Sequence, residues 1–265
     1  MQPDNWGRSA RFGVFIVGAE PVPEAEWWAM APPGVSVHAA RVTASTPWAA
    51  WNADRSDVEL SDDLMRGARQ LSGLAPDVVV LGHSSSSVLG GPGWDAAVAA
   101  KLTELMGGGG HVTTNGDDCL AAMAALGATR PFVVIPPWFG EAFIDKAAVY
   151  LADRGLSPVS MFRHVPEDHW RDTPPGELYA KRMHLHQNID LLRDQVIGHC
   201  PDDADSVLMI GTGLRCVAMI DGLERALGRP VVTANQASLW RCLRLSGLDA
   251  QIAGYGRLFD VGAAD

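Results

Sequence analysis

Two short apolar runs in opposite halves of the chain end in the same way. Asp77-Val78-Val79-Val80-Leu81 stops at Gly82-His83, followed by four serines, Ser84 to Ser87. Ser206-Val207-Leu208-Met209-Ile210 stops at Gly211-Thr212-Gly213. A short, continuous aliphatic run bounded by turn formers reads as a strand covered on both faces, as in a parallel sheet. Each run delivers small hydroxyls and bare backbone N–H groups to its C-terminal end, where open α/β sheets bind ligands. The pair predicts a site between two similar lobes.

The remaining pattern agrees. Strands are expected at Phe12 to Val17, Val35 to Val42, Asp77 to Leu81 and His111 to Thr114, then at Pro131 to Ile135, Pro158 to Phe162, Ser206 to Ile210 and Pro230 to Thr233. Between them lie helical stretches: Glu24 to Met30, Leu60 to Leu74, Trp94 to Met106, Cys119 to Leu126, Phe139 to Arg154, Leu178 to Gly198 (a long amphipathic helix) and Ala218 to Leu227. Val165 to Glu177 reads as a loop, Gly107 to Gly110 as a turn, and Ala237 to Leu245 as a closing helix that crosses back to the first lobe. Strands alternating with helices imply right-handed parallel βαβ units. The fold class is α/β: two pseudo-symmetric lobes, each a parallel sheet flanked by helices, with the active site between them. The first lobe is taken as 1–127 plus 234–265, the second as 128–233.

Composition limits the partners. A net charge of −10 and a pI near 5.2 argue against nucleic acid and anionic membranes, which need a basic face. They permit an anionic small molecule held by local donors. No apolar run approaches the ~20 residues of a membrane span. Met1 to Ala10 lacks an apolar signal region. Cys119, Cys200, Cys216 and Cys242 form no CxxC pair and read as reduced thiols, so a cytoplasmic location is expected.

Several segments together resemble the Asp/Glu racemase superfamily, in its arylmalonate decarboxylase and maleate isomerase branch. They are Phe12 to Val17, Asp77 to Gly91, Thr113-Thr114, Ala121 to Gly127, Pro137-Trp138, Gly211 to Arg215, Leu223 to Val232 with Asn235-Gln236-Ala237, and Gly254 to Asp260. They follow the family order over nearly the whole chain. The resemblance implies a substrate carboxylate held between two lobes and catalysis without cofactor or metal. It also implies one cysteine per lobe as acid, base or nucleophile, or only the second in decarboxylases. This chain departs at both places: the first cysteine's position holds His83 and the second's holds Gly211. Glu20 stands where isomerases carry an asparagine after the first strand. Trp138 stands where a substrate-facing tyrosine is usual, and its indole N–H can donate while its rings wall a pocket.

Thiolate addition and two-base racemisation do not survive these losses unchanged. Decarboxylation demands less: an apolar place to lose carboxylate, an oxyanion pocket for an enediolate, and one proton donor. The expected cradle is Ser84, Ser85, Thr114 and Thr212 with the backbone at Gly211 and Gly213. His83, an imidazole of ordinary pKa near ~6.5, would move the proton, with Glu20 orienting it or serving as the base. The expected function is a cofactor-independent, decarboxylase-like lyase acting on a small carboxylic or dicarboxylic acid. Isomerisation, elimination or hydrolysis on the same scaffold, and a non-catalytic carboxylate-binding protein, remain open. A homo-oligomer is possible.

Other candidates read as structural. No Gly-x-Ser-x-Gly elbow is present, and adjacent strand residues face opposite ways, so only Ser85 could share a side with His83. Cys119 falls in an expected helix, and Cys216 lies five residues past Gly211, where the chain is expected to be turning into the next one. His184 and His186, two apart, diverge on a helix and make no metal pair. His164 and His169 flank a loop that could cover the cleft. Trp27, Trp28, Trp48 and Trp51 read as packing, with the last two able to line a mouth.

Overall fold

The computed structural model describes residues 4–261, so the outermost ends of the expected first lobe lie outside the described residues. Strand β1 (Ala10–Val17) leads through helix α1 (Val22–Met30) to β2 (Val35–Val42), which pairs with it in parallel from Ala10 opposite Val35 to Val17 opposite Val42. A small antiparallel hairpin, β3 (Ala49–Trp51) and β4 (Val58–Leu60), precedes α2 (Asp62–Ser72). Then come β5 (Val78–Leu81), α3 (Ser84–Gly90), α4 (Trp94–Leu105), β6 (His111–Thr114) and α5 (Asn115–Ala125). The rhythm restarts with β7 (Pro131–Ile135), α6 (Glu141–Asp153) and β8 (Ser160–Arg163). It continues with α7 (Pro175–Leu178), α8 (Ile189–His199), β9 (Ser206–Met209), α9 (Ile220–Leu227), β10 (Val231–Thr233) and α10 (Ala234–Leu245).

The strands form two four-stranded parallel sheets, ordered β2-β1-β5-β6 and β10-β9-β7-β8. Numbering each sheet's strands by their place in its own half, both read 2-1-3-4. The order reverses between the first and third strands of each sheet, and the loops leaving those strands diverge there. Such a switch point is where open α/β sheets bind ligands. It places the loops after β1 and β5 opposite the loops after β7 and β9.

One apolar cluster runs through both halves, joining Phe12, Val78 and Val80 to Phe132, Leu208 and Val232. Leu239 and Leu243 of α10 belong to it, and α10 packs on α5 and α1. The Asn115 amide donates to the Ala234 carbonyl (2.8 Å) and to Ser238 Oγ (2.9 Å), which fixes that crossing. A second cluster, with Phe15, Trp48, Leu64 and Trp94, lies behind the first sheet under α2 and α4.

Four expectations need correction. The serines after His83 do not extend a strand: His83 is the extended residue before α3, and Ser84 to Ser87 are its first turn. The hairpin β3–β4 was unexpected, since three-residue strands are too short to show alternation. Helix α5 begins at Asn115, not Cys119, because the Thr114 hydroxyl accepts the Asp117 N–H as a cap. The expected long helix from Leu178 is broken. Arg182 sits at φ +62°, a short 3-10 turn follows at Met183–His186, and the Asn188 side-chain Oδ1 accepts the Leu191 N–H to start α8 afresh. Gln187 exchanges two bonds with the Arg215 backbone, holding the broken segment across the seam.

Candidate active site

The four switch-point loops enclose a cavity of 300 Å³. Glu20 enters from the loop after β1, His83 to Ser85 from the end of β5, and Trp138 with Phe139 from the loop after β7. Gly211 to Gly213 enter from the end of β9. Val17, Leu89 and Phe143 complete an apolar wall, and Thr46 and Tyr179 the rim. A wider depression of 540 Å³ around Asp77, Gly110 and His111 lies at the opposite, N-terminal end of the first sheet.

Glu20 is not a solvated loop residue: 1% of it is exposed. One carboxyl oxygen accepts the Val22 N–H (3.1 Å) and the other accepts the Tyr179 hydroxyl (3.0 Å). Burial outweighs both bonds and raises the carboxyl to about 7. Burial and the facing Glu20 push the Tyr179 hydroxyl upward, so Tyr179 remains a donor. Gly213 approaches so closely that a Cβ there would lie 2.5 Å from Glu20 Oε2. Only glycine leaves the carboxyl its place.

His83 carries the opposite shift. Its ring stacks on Trp48 at 4.2 Å and 18°. Although the residue keeps a partly exposed edge to the cavity, burial lowers its pKa to about 3, so the imidazole is neutral at pH 7. Ser86 Oγ accepts the Trp48 backbone N–H (3.0 Å) and lies 2.9 Å from His83 Nδ1. When the Ser86 hydroxyl donates to Nδ1, Nε2 carries the ring proton; Nε2 is the nitrogen left open to a ligand. Desolvation disfavours a resting imidazolium, which the sequence allowed.

The anion cradle is smaller than expected. The Ser84 hydroxyl donates to Asn115 Oδ1 (2.5 Å) and accepts the Gly211 N–H (3.3 Å), so it ties the halves together. The Thr212 hydroxyl donates to the Gly82 carbonyl. Thr114 lies outside the cavity lining, wholly buried, its hydroxyl donating to Asp95 at 2.7 Å. That leaves the Ser85 hydroxyl as the uncommitted one. Among the described residues the N–H groups of Thr212 and Gly213 also have no acceptor. A serine nucleophile gains no support: His83 pairs with Ser86, which is fully buried, and not with Ser85.

No cysteine lines the cavity. Cys119 and Cys216 are buried elsewhere, and burial pushes both thiols up. Among the described residues no three His, Cys, Asp or Glu side chains gather as metal ligands. No helix among them is long and apolar enough to cross a membrane. His164 instead bonds Gln195, and its ring is held neutral by burial. Tyr179 and His184 were missed as site residues. Both lie in the segment read as one continuous helix, where their spacing looks ordinary.

Residues 54–259 match the family model described as arylmalonate decarboxylase. Arylmalonate decarboxylase of Bordetella bronchiseptica is 29% identical over 194 residues, covering 73% of this chain and 75% of that protein. The maleate isomerase of Pseudomonas putida S16 superposes with a TM-score of 0.76 at 19% identity, covering 97% of this chain and 99% of the other. Nocardia farcinica maleate cis-trans isomerase, solved as a mutant with a covalently bound succinylcysteine intermediate, gives 0.67 at 18%, covering 94% and 98%.

Proposed function

The chain belongs to the arylmalonate decarboxylase family, and from that premise we propose that it decarboxylates a small malonate-type dicarboxylate bearing an apolar substituent, with Glu20 as the proton donor. The observation that carries this reading is Glu20 itself: a buried carboxyl raised to about 7, fixed by Val22 and Tyr179 on the cavity wall. An acid whose pKa lies near the working pH is the most effective general acid.

One substrate carboxylate sits on the Ser85 hydroxyl and the N–H groups of Thr212 and Gly213. The apolar substituent and the departing carboxylate face Leu89, Phe139 and Phe143, where water cannot solvate the charge. Loss of CO₂ leaves an enediolate on the retained carboxylate. The neutral His83 donates its Nε2–H to that developing charge, and Glu20 delivers its proton to carbon. No bond to the protein forms, and the residues present supply each step without a cofactor. Isomerisation through a cysteine adduct, the intermediate seen in the Nocardia enzyme, lacks its nucleophile here, because no thiol reaches the cavity.

The direct test incubates the protein with phenylmalonate, the simplest arylmalonate, in D₂O. Phenylacetate carrying one deuterium and stoichiometric CO₂ are expected. Conversion of maleate to fumarate with no phenylmalonate turnover would make the isomerase reading correct. Binding of either diacid without conversion would make the protein a binding module.

A further inference from the structure

We propose that His184 returns a proton to Glu20 after each turnover, drawing it from a second cavity behind the catalytic one. The inference rests on Glu20 as the proton donor.

Decarboxylation of a dicarboxylate consumes one proton per turnover: the dianion plus a proton gives a monoanion and CO₂. Glu20 gives that proton to carbon and is left as a carboxylate. It is 1% exposed, and a ligand filling the 300 Å³ cavity blocks water from that side. Reloading Glu20 before the product leaves therefore takes a route from another side.

A second cavity of 390 Å³ lies on the far side of the Glu20 loop, against Val22, Glu26, Leu185 and Arg215. His184 lines this cavity, and Glu20 lines the other. The two side chains meet between them: His184 Nε2 lies 4.0 Å from Glu20 Oε2. The His184 ring stacks on Tyr179, the residue that donates to Glu20, at 4.4 Å and 17°, and meets Trp138 edge-on.

His184 is 1% exposed, yet neither ring nitrogen has a hydrogen-bond partner among the described residues. The Ala19 backbone is near enough to favour the protonated ring without reaching hydrogen-bond geometry. An unpaired buried polar group costs about 1–3 kcal/mol and needs a reason to persist. A relay supplies one, since both nitrogens must be free to exchange partners. Burial, with Arg182 and His186 nearby, holds the ring neutral, with one N–H to give and one lone pair to receive. Arg215 and Glu26 face it across the second cavity. Both ring nitrogens are buried at rest and Nε2 is 4.0 Å from the carboxyl, so the transfer includes a swing of the ring. Nε2–H passes its proton to Glu20 Oε2, Nδ1 takes one from water in the second cavity, and a flip of the ring restores the starting arrangement before the next turnover.

The test uses the full chain labelled with [¹⁵N]histidine. The ring nitrogens of His184, assigned by their loss in His184→Phe, are expected to shift with a midpoint near pH 7 as Glu20 titrates. Glu20→Gln should abolish that transition. His184 resonances that ignore Glu20→Gln overturn the relay, whether or not a substrate is in hand. With phenylmalonate, His184→Phe should keep the stacked ring and KM but lose at least about tenfold in kcat, and His184→Ala, which vacates the ring's space, should regain turnover with added imidazole. Turnover unchanged in Glu20→Gln would sink the proton-donor assignment. Turnover lost in Glu20→Gln but intact, with a wild-type pH profile, in His184→Phe would sink the relay alone.

Discussion

The two halves share a strand order but not their chemistry. His83 lies two residues past the end of β5, and Gly211 two past the end of β9. Glu20 lies three past β1, and Trp138 three past β7. The same two backbone positions therefore present a carboxyl and an imidazole in one half, an indole and a bare glycine in the other. Gly211 adopts φ +92°, and a Cβ there would lie 2.5 Å from Pro136 Cγ. At these positions the first half carries the ionisable groups, while the second supplies an apolar wall and backbone donors. Duplicated topology fixes where a site forms, and side chains at equivalent positions decide which face does proton chemistry.

Four experiments probe that division, in order of expected effect. Glu20→Gln should lower kcat by about 10³-fold, within the usual contribution of general acids. The wild-type rate should fall as pH rises above about 7, where Glu20 loses its proton.

The seam between the halves comes next. Glu26 on α1 accepts the N–H groups of Cys216 (2.7 Å) and Val217 (3.1 Å) and the Asn235 amide (2.7 Å), and burial raises it to about 7. The folded state thus holds this proton more tightly than the unfolded chain. Stability should be greatest below about pH 4.5 for this group and should fall as pH rises to about 7. Glu26→Gln should flatten that window by on the order of 3 kcal/mol in urea titrations at pH 5 and 8. An unchanged slope would refute the buried proton.

His83→Ala should cost about 10²-fold in kcat, the scale of one oxyanion donor, with little change in KM. A raised KM with kcat unchanged would mean His83 only binds substrate. Smallest is Gly211→Ala, which forces a Cβ onto a left-handed backbone and against Pro136. It should lower stability by about 1–3 kcal/mol in thermal melts. A neutral outcome would show that the second half tolerates a side chain where the first carries His83.

Much of the fold was legible in the sequence. Continuous apolar runs such as Val78 to Leu81, short and bounded by turn formers, read as strands covered on both faces, and the alternation with helices points to parallel pairing. Boundaries slipped where one side chain decides them, as with the Thr114 cap that starts α5 early. The break at Arg182 was hidden, because an amphipathic pattern does not show that the chain must cross the seam to meet Glu20.

The site was legible in part. Glu20, His83, Ser84, Ser85, Trp138 and the run Gly211 to Gly213 do line one cavity. Thr114 does not, and Ser84 and Thr212 already spend their hydroxyls on Asn115 and Gly82.

The sequence alone settled the eight parallel strands and most of the helices between them, because strand patterning is a local property. Only the tertiary structure decided which group holds a proton at neutral pH. It buries Glu20 and His83 together, and burial disfavours the charged form of each. The same desolvation therefore raises the carboxyl to about 7 and drops the imidazole to about 3. That exchanges the roles their ordinary pKa values would have assigned.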